Sequence, residues 1–180
     1  RSSAASSSAL YIDYFYDSLD RITEVSNTLG DTTTVYDQWK VSTTDAEGNI
    51  KEATKDARGN LVQVDEHNDA STYTTLYEYN VLGNLTKITD AQANVRNFTY
   101  DGLSRLISSE DLHAVADTGF GTSTYSYDVA NNLTSKTDPK GQIVNYTYDD
   151  SNRVLTEDYT GSAGTEISYG YDWCTNGKTR

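Results

Sequence analysis

A tyrosine followed by an aspartate or asparagine recurs along the chain, and this recurrence constrains the fold more than any other feature. Successive pairs lie between 19 and 27 residues apart. Self-similarity at such a spacing is typical of tandem repeats of one supersecondary unit. The series comprises Tyr16-Asp17, Tyr36-Asp37, Tyr79-Asn80, Tyr100-Asp101, Tyr127-Asp128, Tyr148-Asp149 and Tyr171-Asp172, with Lys55-Asp56 filling the gap between the second and third pairs.

The residues after each anchor tyrosine repeat as well. The fifth residue after the tyrosine position is arginine or asparagine in six copies, namely Arg21, Asn60, Asn84, Arg105, Asn132 and Arg153. The sixth residue is then aliphatic, as in Ile22, Leu106 and Val154. The copy at Tyr36 is degenerate, and the copy at Tyr171 carries extra residues.

Aromatic residues two positions apart precede most anchors, as in Tyr125 and Tyr127, and this spacing places both rings on one face of a strand. Asn and Gly then follow the anchor, and both tolerate the left-handed backbone of tight hairpin turns. A second turn, such as Asp138-Pro-Lys-Gly141 or Asp45-Ala-Glu-Gly48, suits type I geometry. Each unit is therefore predicted to be strand, turn, strand, turn.

Chained units of this kind predict an all-β fold, with antiparallel hairpins in one extended, curved and twisted sheet. We expect about eight units over residues 11–180, the last one incomplete, after a flexible, polar lead-in at residues 1–10. The composition agrees, because 15 tyrosines stand against 3 phenylalanines and 2 tryptophans. Tyrosine suits half-buried pleated surfaces, where its ring packs and its hydroxyl keeps a polar partner.

Charge and hydropathy exclude two classes of partner. The net charge of −13 argues against nucleic acid, which requires a basic face. The apolar runs are too short for a membrane span. The single cysteine, Cys174, cannot form an internal disulfide.

The repeat pattern resembles that of the RHS (rearrangement hotspot), or YD-repeat, family, over roughly residues 11 to 180. The best copies are Tyr100-Asp-Gly-Leu-Ser-Arg-Leu106 and Tyr148-Asp-Asp-Ser-Asn-Arg-Val154. The pattern is similar also to repeats of toxin-complex shell subunits, wall-associated proteins and teneurins. The structural repeat residues are thus Tyr16, Asp17, Arg21, Tyr79, Asn84, Tyr100, Asp101, Arg105, Tyr127, Asp128, Asn132, Tyr148, Asp149, Arg153, Tyr171 and Asp172.

The resemblance implies a hollow spiral β-shell that, in bacterial members, often encloses a toxic C-terminal domain. It implies a bacterial protein that is secreted or on the cell surface, whose partners are neighbouring repeats and a C-terminal effector of the same parent polypeptide. An unpaired sheet edge would also invite self-association.

Catalysis has few candidate residues, because the chain has only His67, His113 and Cys174 to offer beside its serines and carboxylates. We predict that the chain is not an enzyme and binds no cofactor. His113 lies in the insertion that produces the interval of 27 residues, and it is predicted to be a solvated loop residue.

Calcium is a weaker alternative, since Asp45, Glu47, Asp65 and Asp69 cluster oxygen ligands on predicted loops. Neither segment fits the twelve-residue calcium loop with its terminal glutamate, and solvated acidic turns are the favoured interpretation.

Carbohydrate binding is the alternative function. Exposed tyrosines could stack on pyranose rings of cell-surface glycans while nearby Asn and Asp bind the hydroxyls. Cross-strand packing of the tyrosines is the competing interpretation, at roughly 0.2 to 1 kcal/mol per pair.

Overall fold

The computed structural model of the protein describes residues 11–68, 70–161 and 164–171. In this part of the chain every regular element is a strand, and there are sixteen of them. Their bounds are β1 Ile12–Tyr16, β2 Ile22–Asn27, β3 Gly30–Asp37, β4 Lys40–Thr44, β5 Ile50–Lys55, β6 Leu61–Asn68, β7 Ser71–Tyr79, β8 Leu85–Thr89, β9 Asn94–Tyr100, β10 Leu106–Glu110, β11 His113–Ala114, β12 Thr122–Tyr127, β13 Leu133–Thr137, β14 Ile143–Tyr148, β15 Val154–Tyr159 and β16 Ile167–Ser168.

The prediction of an all-β fold of tandem antiparallel hairpins is confirmed by these strands and their pairing. Among the described residues no helix exists that could cross a membrane. The predicted lead-in at residues 1–10, together with Asp69, Asp172 and Cys174, lies outside the described residues.

The chain divides into two compact units, of which the first contains described residues from 11–78 and 88–92. Here β1 to β7 form an antiparallel meander, and each strand pairs with the next along the chain. The second unit contains residues 79–87 and described residues from 93 onwards, so β8 contributes to both units.

In the second unit β9 pairs with β10, β10 with β12, and β12 to β16 follow one another in order. The short strand β11 departs from this order, because it pairs back with β9 and sets His113 opposite Val95. All of these pairs are antiparallel, as expected for strands joined by short turns.

Side-chain burial alternates as the sequence predicts along β3, β12 and β14, the strands that carry Tyr36, Tyr127 and Tyr148. In β14, Tyr146 and Tyr148 are half-buried, whereas Asn145 and Thr147 between them are exposed. Since side chains of a strand alternate between the faces of the sheet, the paired aromatic residues share one face and the small polar residues occupy the other.

The hydrophobic core is thin. Val64 in β6 and Val95 in β9 are the only buried aliphatic side chains among the described residues. A sheet that buries so little apolar surface depends on contacts between neighbouring hairpins for its stability.

Two placements correct the sequence predictions. Asp65 lies inside β6, not on a loop, because Asp65 pairs with Glu52 and Thr74 on the two adjacent strands. His113 is not a solvated loop residue, since it is only 8% exposed and belongs to β11. The insertion folds back so that β11 pairs with β9, and the His113 imidazole is buried there.

Candidate functional site

The repeated turn after each anchor, here called the YD turn, is built around the aspartate. Asp17 Oδ1 accepts the main-chain N–H of Leu19 at 2.8 Å and that of Arg21 at 3.1 Å, while Oδ2 accepts Arg21 Nε at 2.7 Å. The main chain closes the same turn, with Asp17 N donating to Arg21 O at 2.9 Å. The same five-residue pattern closes the turns that begin at Asp56, Asn80, Asp101, Asp128 and Asp149.

The fourth residue of each YD turn adopts a left-handed conformation. It is Gly59 or Gly83 in two turns and a non-glycine residue in the others, including Ser104 with φ of 63° and Asn131 with φ of 69°. A type I turn followed by a left-handed residue forms a three-residue hairpin loop with a bulge. The bulge shifts the register at the anchor, where Tyr127 pairs with Leu133 although Ser126 pairs with Ser135.

The aspartates of the YD turns have lowered pKa values, which favours their charged form. Hydrogen bonds donated by the fifth turn residue lower the pKa of each turn aspartate. For Asp17 and Asp56 the largest contribution comes from the side chain of that fifth residue. For Asp101, Asp128 and Asp149 the largest contribution comes from its main-chain N–H. Donors that point at a carboxylate favour its charged form. The ionised aspartates therefore stabilise these turns.

Anchor tyrosines bind the preceding hairpin. Tyr36 Oη donates to Ile22 O at 3.0 Å, Tyr127 Oη to Leu106 O at 2.9 Å, and Tyr148 Oη to Leu133 O at 2.9 Å. Each acceptor is the aliphatic residue that follows the preceding YD turn, so the sixth position of one repeat meets the anchor of the next.

The fifth position completes this contact. The guanidinium of Arg21 lies 4.2 Å from the ring centre of Tyr36, that of Arg105 lies 4.8 Å from Tyr127, and that of Arg153 lies 4.5 Å from Tyr171. A cation over an aromatic face at this distance is attracted by the ring quadrupole.

Arg105 also reaches the next YD turn, donating to Asp128 O at 2.9 Å and to Asn131 Oδ1 at 3.1 Å. Asparagine at the fifth position makes the equivalent link. Asn132 Nδ2 bonds both its own Asp128 and Asn152 of the following YD turn, each at 2.9 Å.

We call these contacts between an anchor tyrosine and the preceding YD turn the anchor ladder; its anchors are Tyr36, Tyr127, Tyr148 and Tyr171. The strand register is the same at each rung. Glu24 lies opposite Thr33 and Ser108 opposite Thr124, and this register continued along the strands sets Tyr36 opposite Arg21 and Tyr127 opposite Arg105. Burial raises the pKa of Tyr127 and Tyr148, which keeps their hydroxyls protonated as donors.

Among the predicted repeat residues, the structure thus brings Arg105 against Tyr127 and Arg153 against Tyr171, each pair from consecutive hairpins. The fifth position was predicted from the sequence as a repeat residue, but its contact with the next anchor was not. The available signal was the restriction of that position to Arg and Asn, both of which donate hydrogen bonds across a gap.

Two of the calcium candidates, Asp45 and Asp65, have other partners. Asp45 Oδ1 accepts the N–H groups of Glu47 and Asn49, and Asp45 Oδ2 accepts Asn49 Nδ2 at 2.9 Å. Asp65 accepts the hydroxyl of Thr74 at 2.6 Å, within the sheet. In the described ranges no three side chains of His, Cys, Asp or Glu group around a point that would hold a metal ion.

We therefore expect EDTA to leave the melting temperature of the protein unchanged, because Asp45 is engaged by its own turn. Differential scanning calorimetry with and without EDTA, and with added calcium, measures this. A rise in melting temperature with calcium that is absent from Asp45→Asn would establish a calcium site at this turn.

His113 has a well-defined environment. Its ring stacks on Phe120 with a centroid distance of 3.7 Å and an interplanar angle of 10°. Nδ1 lies 2.8 Å from Asp111 O, and Nε2 lies 3.8 Å from Glu110 Oε2. The ring lines a cavity of about 400 Å³ within the second unit, together with Lys87, Asn97, Glu110, Asp117 and Phe120.

Replacing His113 by alanine should destabilise the second unit by about 1 to 2 kcal/mol, because the stack and the bond to Asp111 are lost. His67→Ala is the matched control, since His67 lies in β6 at a more exposed position. Urea titration measures both, and equal effects would contradict a packing role for His113.

The comparison with protein-family models decides the identity of the repeat. The RHS repeat model matches residues 56–95, 111–143 and 127–162, together just over half of the chain. The chain belongs to the RHS repeat family. The YD turns that begin at Asp56, Asn80, Asp128 and Asp149 start within the matched RHS segments.

Solved structures share this fold. The Photorhabdus luminescens Tc holotoxin pore, with a mutation in TccC3, has a TM-score of 0.66 and 16% identity over 87% of this chain. TcdB2-TccC3-TEV follows with 0.65 and 15% over 87%. TcdB2-TccC3 without its hypervariable C-terminal region has 0.58 and 15% over 89%. The chain spans only 9% to 11% of these solved chains, and no curated protein sequence matches it significantly.

Proposed function

We propose that this RHS-repeat chain is a non-catalytic wall segment of a β-shell that encloses or presents a C-terminal effector of its parent polypeptide. We propose further that the parent is a bacterial protein that is secreted or displayed at the cell surface. The observation that carries this proposal is the anchor ladder, which couples consecutive hairpins through the residues that define the repeat.

The hairpins of a shell wall must stay together, and each contact of the anchor ladder holds one hairpin to the next. Strand pairing alone satisfies the backbone, whereas the tyrosine hydroxyl and the guanidinium add side-chain contacts between neighbouring hairpins. The fold shared with the TccC3-containing complexes supports the same role. One of these similar structures is of TcdB2-TccC3 without its hypervariable C-terminal region, and a separable C-terminal region in a protein of this fold supports an effector at that end of the parent.

Limited proteolysis of the parent polypeptide tests enclosure. We expect the C-terminal region to resist protease until the repeats unfold, and electron microscopy to reveal a hollow particle. Tyr127→Ala in the parent should accelerate cleavage, whereas Tyr73→Ala should not. A C-terminal region that is cleaved as fast in the intact parent as in isolation would overturn the proposal.

Sugar binding is the less well supported alternative. The rings of Tyr36, Tyr127 and Tyr171 already carry a guanidinium on one face, and half-burial limits access to the rest of the Tyr127 ring. A glycan array probed with the purified chain tests the alternative. Specific binding that is lost in a variant of the exposed residues Tyr73 or Trp39 would favour adhesion.

A further inference from the structure

Three polar side chains form a row across neighbouring strands of the second unit. Lys87 of β8, Asn97 of β9 and Glu110 of β10 line the same cavity as His113. Asn97 Nδ2 donates to Glu110 Oε2 at 2.5 Å, and Asn97 N donates to the same oxygen at 3.2 Å. The row therefore brings an amine, a carboxamide and a carboxylate to one place.

The strand register sets Glu110 beside Asn97. In the pairing of β10 with β9, Ser109 lies opposite Phe98, and the next pair along these strands is Glu110 with Asn97. Residues that lie directly opposite each other share one face of a sheet. The two hydrogen bonds between Asn97 and Glu110 agree with this placement.

The repeat sets Lys87 on the other side of Asn97. Strand β8 is the neighbour of β9 on the side away from β10. Lys87 lies three residues before the aspartate that begins its turn, and Asn97 lies seven residues after it; Ser135 and Asn145 hold the same positions in a later hairpin. Ser135 lies opposite Asn145. The same register places Lys87 opposite Asn97, where the four-carbon stem of lysine reaches the carboxamide.

We propose that Lys87 and Asn97 form an intramolecular isopeptide bond, with Glu110 transferring the protons. Lys87 Nζ bonds to Asn97 Cγ, and the bond from Cγ to Nδ2 breaks. Of the three protons of the lysine ammonium, one stays on the new amide and two pass through Glu110 to Nδ2, which leaves as ammonium. Atoms, electrons and charge balance without an oxidant, a reductant or a cofactor. The bond forms once within the chain, and it does not depend on the proposed wall function.

Glu110 is positioned for both proton transfers. A general acid must lie within hydrogen-bond reach of the atom that it protonates. Glu110 Oε2 already accepts a hydrogen bond from Asn97 Nδ2, the nitrogen that leaves. The same oxygen lies 3.8 Å from His113 Nε2. The lysine amine therefore meets a carboxamide whose leaving group has a proton carrier in place.

Buried side chains cover the row on one side. Val95, two residues before Asn97 and on the same face of β9, is 6% exposed. His113 lies opposite Val95, is 8% exposed and stacks on Phe120 at 3.7 Å. This cover limits the water that competes with the amine for Asn97 Cγ and that would hydrolyse the product.

A second row in the same unit lacks the amine. Asn145 lies opposite Ser135 on one neighbouring strand and opposite Asp158 on the other. Serine thus occupies the lysine position, while the carboxamide and the carboxyl group are kept. Asn145 is also exposed, whereas Asn97 is half-buried. The second row is therefore an internal control in which no isopeptide bond is expected.

Intact-mass spectrometry of the purified chain, unfolded before measurement, tests the proposal. We expect a mass lower than that of the sequence by one ammonia molecule. Trypsin cuts after lysine and arginine, so an isopeptide bond at Lys87 should leave fragment 59–96 uncut at that lysine and joined to fragment 97–105. Tandem mass spectrometry should locate the branch at Lys87 and Asn97.

Single substitutions assign the roles within the row. Lys87→Arg keeps the positive charge but removes the amine, and should abolish the loss of ammonia. Glu110→Gln removes the proton carrier and should slow bond formation about a hundredfold or more. Asn145→Ala, in the second row, should leave the bond intact. Far-ultraviolet circular dichroism establishes that each variant keeps the all-β spectrum of the unsubstituted chain.

A folded chain with the full mass of its sequence would overturn the proposal. So would a loss of ammonia without the branched peptide, since an asparagine that cyclises onto its own backbone also loses ammonia. An unchanged loss in folded Lys87→Arg would overturn it as well. None of these masses bears on enclosure of the effector, which protease protection of the parent tests separately.

Discussion

Replacing Tyr127 by alanine should lower the free energy of unfolding by about 2 kcal/mol. The change removes the ring beneath the Arg105 guanidinium and the hydrogen bond from Tyr127 Oη to Leu106 O. It also leaves that carbonyl without its side-chain donor. Urea titration followed by tyrosine and tryptophan fluorescence measures the loss.

Two variants separate the contributions at Tyr127. Tyr127→Phe keeps the ring and removes only the hydroxyl, so it should cost about 1 kcal/mol. Tyr73→Ala, at a site that is 50% exposed, should cost less than 0.5 kcal/mol, as is usual for surface substitutions. Equal losses for Tyr127→Ala and Tyr73→Ala would contradict the anchor ladder as a source of stability.

Acidification should unfold the protein below about pH 4, because several turns titrate together. Hydrogen bonds at the turns lower the pKa of six carboxyl groups from the ordinary value of 3.8, at Asp17, Asp45, Asp56, Asp101, Asp128 and Asp149. A lowered pKa in the folded state means that stability is complete above the unfolded value and is lost as pH falls through the folded one. Far-ultraviolet circular dichroism against pH measures the transition.

The chain itself supplies a control for this acid transition. Asn80 occupies the aspartate position and accepts the N–H groups of Leu82 and Asn84, so an amide can support the turn without titrating. Asp128→Asn should therefore move the acid midpoint to lower pH with little change near neutrality. Asp101→Asn should lose stability already at neutral pH, because Arg105 loses its charged partner at 2.7 Å. Identical acid midpoints in Asp128→Asn and the parent would contradict the assignment.

The repeat made the strands and turns predictable, because each has a local cause. Rings two residues apart identify a half-buried strand face, and Asp followed by Gly or Asn identifies a turn. The Tyr36 copy, which departs from the repeat in sequence, also has a different turn, since Asp37 pairs directly with Lys40 across a two-residue turn. Asp56 forms a complete YD turn although a lysine precedes it.

The contacts between hairpins were not predictable, since they depend on register. The pairing of β10 with β12 sets Arg105 beside Tyr127, 22 positions later, while the pairing of β15 with β16 brings Arg153 to Tyr171 after 18. The local sequence pattern also does not predict where an insertion packs. His113 sits among acidic and small residues in the sequence, yet Phe120 and the edge of β9 cover its ring.

Turns of the meander alternate between two margins of each unit, and this alternation has a consequence for how the sequence can change. At the margin with the YD turns, side-chain contacts between neighbouring turns fix the spacing of consecutive hairpins. The opposite margin carries turns of unequal length, from the two residues after Asn27 to the excursion between Glu110 and Thr122. New segments, including engineered tags, should therefore be accepted at that second margin while the stacking of hairpins stays intact.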